Sequence, residues 1–105
     1  MWLLMNKSYM SVVENRNKKD ELLVRARVEG DIDRVFPGVK VVKGAGSDYL
    51  YRAYISKEVV AEAIRRQILN INYSNFKDSV PWEDEARHDA YLDVWCDLQK
   101  MQKER

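Results

Sequence analysis

Arginine and tyrosine side chains offer the most specific binding chemistry in this sequence. Arg25 and Arg27 lie in the run LLVRARV, and Arg52 and Tyr54 lie in the run YLYRAYI. Both runs alternate as β-strands do, so each pair projects from one face of its strand. Guanidinium groups bind phosphates and aromatic rings stack on unpaired bases, so the two strands in one sheet predict a surface for single-stranded nucleic acid. The same face can bind an acidic protein, or it can be the ordinary polar outside of a sheet with its arginines paired to glutamates.

A second candidate surface is the segment NYSNFKD at residues 72–78, which mixes polar and aromatic side chains without a clear period. Irregular segments of this composition can form recognition surfaces. The candidate interaction residues here are Asn72, Tyr73, Asn75, Phe76, Lys77 and Asp78. The alternative is structural, with polar residues capping the neighbouring helices and the two aromatic rings filling the edge of the core.

Groups suited to catalysis are few and badly spaced. His88 is the only histidine and Cys96 is the only cysteine. On one continuous helix the two residues would be separated by about 12 Å, which is too far for a nucleophile and its base. Asp84 stands one helical turn before His88 and can orient it. The sequence nevertheless favours a protein without enzymatic activity, and it predicts no catalytic residue and no cofactor.

Two further patterns have some likeness to ligand sites. Asp89, Asp93 and Asp97 recur at every fourth residue and line one helix face, which can hold a divalent cation, meet a basic partner or face solvent. Carboxylates on a single helix rarely converge on one cation, so no metal site is predicted. Residues 44–48, GAGSD, are rich in glycine, but no GK[ST] follows and a strand comes next. They therefore predict a hairpin turn rather than a phosphate loop.

Strands joined by short polar loops, and three helices, are the elements that must position these groups. Alternating or apolar runs predict strands at residues 2–5, 9–14, 22–28, 39–42 and 49–55. Ser56 suits the N-cap of a helix whose apolar stripe runs through residues 60–71. We expect a short helix capped by Asp31 and a last helix that begins at Pro81.

These elements predict an α+β fold, with a mainly antiparallel sheet of four to five strands and helices packed on one face. A ferredoxin-like variant is left open, because strand order cannot be read from one sequence. The last helix carries an apolar stripe of Tyr91, Val94, Trp95, Leu98 and Met101. The length of 105 residues predicts a single domain over residues 1–105.

The composition narrows the class of protein and its compartment. The formal net charge is +1, so no strong overall field attracts nucleic acid or membranes, although a local basic patch remains possible. A single cysteine allows no disulfide within the chain. The N-terminal run MWLLM is too short for a signal peptide, and no run reaches the roughly 20 apolar residues that span a bilayer. We therefore expect a cytoplasmic protein without membrane contact.

The order of these segments resembles a family of small bacterial and phage-encoded proteins. The likeness covers residues 2–99 and includes the MW start, the runs YMSVVE and LLVRARVEGDID, SDYLYRAYISKEVVAEAI, and the closing run AYLDVW. It also includes the run NINYSNFKDSV, and its most specific part is INYSNFKD at residues 71–78. The family has no established activity. The resemblance implies a compact cytoplasmic protein and supplies no catalytic residue.

The expected function is therefore a non-enzymatic protein-interaction module of bacterial or phage origin, acting through a protein partner or by self-association. The alternative is a nucleic-acid binder that uses the sheet face of Arg25, Arg27, Arg52 and Tyr54.

Overall fold

The computed structural model describes residues 1–44 and 48–105, which divide into two compact units, Met1–Asn72 and Tyr73–Arg105. The predicted hairpin turn at residues 44–48 therefore lies largely outside the described residues. The expectation that it is a turn and not a phosphate loop stays a prediction. A single domain over residues 1–105 stays a prediction.

The first unit is built on an antiparallel sheet, which within the described residues has five strands. These are β1 (Trp2–Leu4), β2 (Tyr9–Glu14), β3 (Glu21–Ala26), β4 (Val42–Lys43) and β5 (Tyr51–Ser56). Their order across the sheet is β1-β2-β3-β5-β4, and every neighbouring pair is antiparallel. The predicted α+β class with a mainly antiparallel sheet is thus confirmed. A ferredoxin-like fold places a helix between its first two strands, whereas turns alone join β1, β2 and β3 here.

Alternation along the strands separates a core face from a second face. The side chains of the core face include Leu3, Met10, Val12, Leu22, Val24, Ala26, Tyr51, Ala53 and Ile55. Two helices pack on it, α1 (Asp31–Val35) and α2 (Lys57–Leu69), through residues such as Ile32 and Val60. Burial of each larger apolar side chain contributes roughly 1.5–3 kcal/mol. The prediction of helices on one face of the sheet is therefore confirmed for this unit.

The start of α2 follows from Ser56, whose hydroxyl oxygen accepts a hydrogen bond from the Val59 amide at 3.3 Å. The N-cap prediction is thus confirmed. The predicted apolar stripe is only partly right, because Val60 packs into the core while Ile68 is 62% exposed. Only the first turns of the helix lie against the sheet, so its later apolar residues gain no partner there.

The short helix α1 is capped by Gly30, with φ at +89°, and not by Asp31 as the sequence suggested. Asp31 is instead fully buried, where its carboxylate accepts a hydrogen bond from the Tyr9 amide at 3.0 Å and pairs with Arg34. The carboxylate thereby ties α1 to β2. A left-handed backbone at the cap suits glycine, because a Cβ there would be strained.

The second unit contains α3 (Phe76–Ser79) and α4 (Glu85–Lys103). The prediction that the last helix begins at Pro81 is wrong by four residues, because Asp84 is the N-cap and accepts a hydrogen bond from the Arg87 amide at 3.3 Å. Tyr91 is buried, but the rest of the predicted stripe is exposed. Among the described residues, no helix is both long and apolar enough to cross a bilayer.

Candidate interaction surface

The face of the sheet opposite α1 and α2 carries a row of aligned residues that crosses all five strands. The register pairs Trp2 with Ser11, Ser11 with Arg25, Arg25 with Arg52, and Arg52 with Val42. Directly opposed residues in an antiparallel sheet project from the same face, so the five side chains form one line. We call this face, with Tyr9 and Tyr54 beside the row, the arginine face.

Arg25 and Arg52 lie directly opposite one another at the centre of this row. Arg25 Nη2 donates to Ser11 Oγ at 3.2 Å. The Nε atoms of both arginines are buried, and no described residue accepts a hydrogen bond from them. No described residue accepts a hydrogen bond from Arg52, and no described carboxylate pairs with either guanidinium. Like charges in direct opposition destabilise a sheet. The alternative expectation, that these arginines pair with glutamates, is therefore not fulfilled for Arg25 and Arg52 among the described residues.

Arg27 has a different environment from the other two arginines. Its Nη1 lies 3.0 Å from Asp48 Oδ1, and this hydrogen bond raises the pKa of the guanidinium above its ordinary value. Arg25 Cζ and Arg27 Cζ lie 4.6 and 4.2 Å from the ring centroid of Tyr49, which is buried. Cation–π attraction to this ring helps to hold both guanidinium groups in place. Arg27 is thus largely neutralised, and the unbalanced charge belongs to Arg25 and Arg52.

Exposed aromatic rings lie at two places next to the cationic centre. Tyr54, two residues beyond Arg52 on the same strand, is 52% exposed. At the second place Trp2 is 70% exposed and meets Tyr9 edge to face, with ring centroids 6.2 Å apart. The arginine face therefore combines charge with exposed aromatic surface. Of its residues, the sequence had assigned Arg25, Arg27, Arg52 and Tyr54 to a binding surface.

Trp2, Tyr9 and Ser11 were missed as members of the surface. Alternation in the run YMSVVE put Tyr9 and Ser11 on one side of their strand, which is correct. Their link to Arg25 depends on which residues oppose one another across β2 and β3, and neither strand shows this alone. Trp2 was placed in the predicted strand at residues 2–5 without a role in binding, and β1 lies at the sheet edge and leaves it exposed.

The segment at residues 72–78 makes structural contacts inside the second unit, from Tyr73 onward. Asn75 is the N-cap of α3, its Oδ1 accepting a hydrogen bond from the Asp78 amide at 3.1 Å. The ring of Phe76 lies 6.1 Å from that of Tyr73 and 5.7 Å from that of Tyr91.

The remaining two candidates of this segment differ in their surroundings. Lys77 is half-buried, and its Nζ lies 4.0 Å from the ring centroid of Trp95. Asn72 is exposed and belongs to the first unit. The capping and packing alternative thus accounts for most of the segment, and a recognition role for Asn72, Tyr73, Asn75, Phe76, Lys77 and Asp78 stays a prediction.

Asp84, which the sequence offered as a partner for His88, forms an ion pair with Arg87, with Nε 2.8 Å from Oδ2. Across residues 1–44 and 48–105, no three side chains of the histidine, cysteine, aspartate or glutamate type come together to hold a metal ion.

No protein-family model matches this chain, and neither a curated protein nor a solved structure matches it. The arginine face is therefore interpreted from its own geometry.

Proposed function

We propose that the protein is a non-enzymatic interaction module whose working surface is the arginine face. Its partner presents negative charge to Arg25 and Arg52. The observation that carries the proposal is the direct opposition of these two arginines without a carboxylate partner among the described residues.

The two guanidinium groups repel one another in the free protein, because directly opposed like charges destabilise a sheet. An anion placed between the two guanidinium groups removes the repulsion and accepts charge-assisted hydrogen bonds from their terminal nitrogens. Binding of an anion therefore releases more free energy in this protein than it would in a protein whose two arginines were already paired with carboxylates.

Carboxylates of a protein segment and phosphates of a nucleic acid both supply this chemistry. The protein partner is the primary function expected from the sequence, and the nucleic acid is its alternative. The cytoplasmic location and the bacterial or phage origin also stay proposals, since they rest on sequence patterns.

Binding to immobilised polyanions tests the proposal without choosing the partner. Biolayer interferometry would compare polyglutamate and polyphosphate surfaces against wild-type protein and the double variant Arg25→Ala/Arg52→Ala. The matched control is Arg65→Ala/Arg66→Ala, which removes the same charge from exposed side chains of α2 that pair with Glu62. We expect the first variant to lose at least tenfold in affinity for one surface or both, and the control to lose less than twofold. Equal losses in the two variants would contradict the proposal.

Self-association through α4 is a second candidate. One face of α4 carries apolar side chains that are 37–54% exposed and recur at spacings of three and four. These are Val94, Trp95, Leu98 and Met101. Trp95 and Met101 lie three residues before and after Leu98. In an antiparallel dimer centred on Leu98, Trp95 of one copy would therefore pack against Met101 of the other.

A further inference from the structure

We infer that the partner of the arginine face is single-stranded nucleic acid, with a phosphodiester held by Arg25 and Arg52 and bases stacked on Tyr54 and Trp2. This inference rests on the proposed function and adds the class of partner to it.

Exposed aromatic rings on the same sheet face as the cations favour nucleic acid over an acidic peptide. A carboxylate-rich segment needs only the two guanidinium groups, whereas unpaired bases also need flat rings to stack on. Tyr54 is 52% exposed and Trp2 is 70% exposed, and both project from the same face as the arginines. The rings would cost free energy in water, so their placement beside a charge centre is better explained by a ligand that is both charged and aromatic.

The dimensions of the face suit a short single strand. Trp2 and Tyr54 lie on β1 and β5, which are three strand intervals apart in the sheet. At about 4.8 Å for each interval, the two rings are separated by roughly 15 Å across the sheet, with Arg25 on β3 between their strands and Arg52 on the same strand as Tyr54. A few nucleotides cover that distance. A stacked duplex cannot offer its base faces to a sheet, so the double-stranded form has access only to the charges.

The charge count predicts a weak dependence on salt. On the arginine face, Arg25 and Arg52 have no carboxylate partner among residues 1–44 and 48–105, whereas Arg27 is paired with Asp48. Because both arginines hold one phosphodiester, the slope of log K against log salt on a single strand is about −0.7. A strongly basic binder that relies on many phosphates would show a far steeper slope.

Fluorescence anisotropy with four labelled probes tests the inference. The probes are a ten-nucleotide RNA, the same sequence as DNA, its blunt duplex, and a ten-residue polyglutamate peptide, each titrated at several KCl concentrations. The variants are Arg52→Met, Tyr54→Leu and the control Arg65→Met, with circular dichroism to confirm that each is folded. Arg52→Met and Arg65→Met remove the same charge, and Tyr54→Leu removes a ring but leaves the charge unchanged.

We expect one or both single strands to bind at least tenfold more tightly than the duplex and the peptide. Tyr54→Leu should weaken that binding at least about fivefold, as expected for the loss of one stacked base. Arg52→Met should weaken it more than Arg65→Met does.

The outcomes separate the inference from the proposed function. If polyglutamate binds in an Arg52-dependent way and no oligonucleotide does, the inference is wrong and the interaction module stands with a protein partner. Equal binding of single strand and duplex, or no effect of Tyr54→Leu, would also overturn the inference. If no probe binds, or if Arg52→Met and Arg65→Met behave alike with every probe, both fail.

Discussion

Replacing Arg52 with methionine should make the protein more stable, although it removes a charged residue from a sheet where charges usually aid solubility. Methionine keeps an unbranched apolar stem of similar reach, so packing on neighbouring side chains is largely retained. In the wild-type protein, the buried Nε atom without a described partner costs about 1–3 kcal/mol, and the substitution removes this atom. The repulsion between Arg52 and Arg25 costs the wild type a further 0.2–1 kcal/mol, roughly, and the substitution removes this charge as well.

Some of that cost is already relieved by solvent at the terminal nitrogens, so we expect a net gain of about 1 kcal/mol in the free energy of unfolding. With a urea m-value of about 1–3 kcal/mol per molar, the midpoint of unfolding should rise by roughly 0.3–1 M. Salt screens the repulsion between Arg25 and Arg52, so the gain should shrink at high salt without vanishing.

Urea unfolding followed by far-ultraviolet circular dichroism is the assay, in chloride buffer free of phosphate and sulfate because those anions can occupy the site. Arg65→Met is the control, and its unfolding free energy should stay within about 0.5 kcal/mol of wild type. A saturating single-stranded oligonucleotide should stabilise wild type more than Arg52→Met, since a ligand stabilises only a state that binds it. An Arg52→Met variant less stable than wild type at low and high salt would refute the argument that this arginine is unbalanced.

Three other changes test the fold and the second candidate. Ser56→Ala should lower the unfolding free energy by about 1 kcal/mol through loss of the α2 N-cap, measured by urea unfolding against Ser74→Ala at an exposed bend, and equal effects would contradict the cap's role. Asp31→Ala should cost about 1–3 kcal/mol, because the Tyr9 amide loses its buried acceptor, and a thermal midpoint unchanged from wild type would contradict this. Light scattering over a range of concentrations should show a dimer for wild type and a monomer for Leu98→Glu, while a wild-type monomer throughout would exclude self-association through α4.

Features set by neighbouring residues could be predicted well. Ser56 caps α2 because a hydroxyl just before a helix can reach the free amides of the first turn, a relation confined to a few residues. The alternation of LLVRARV placed Val24 and Ala26 in the core for the same reason. Val28 was expected to continue that pattern, but β3 ends at Ala26, and a strand's end depends on what its partner strand offers.

Errors arose where a residue has two local roles and distant contacts choose between them. Asp31 can cap a helix or accept a hydrogen bond from another strand, and burial against β2 favours the second role. Ile68 fits the helical stripe of α2, yet the sheet supports only the first turns of that helix. The start of α4 is a different case, because Asp84 caps this helix through local contacts: its carboxylate accepts from the Arg87 amide and pairs with the Arg87 side chain, three residues away.

The sequence by itself determined the α+β class, the faces of the strands and the membership of Arg25, Arg27, Arg52 and Tyr54 in a polar sheet face, since period-two alternation is a local property. Only the tertiary structure decided that Arg25 opposes Arg52, that Ser11 and Trp2 continue their row, and that no described carboxylate neutralises it. Register comes from burying Met10, Val24 and Ala53 together across three strands. That burial is a property of the assembled core, which the order of residues along one strand does not show.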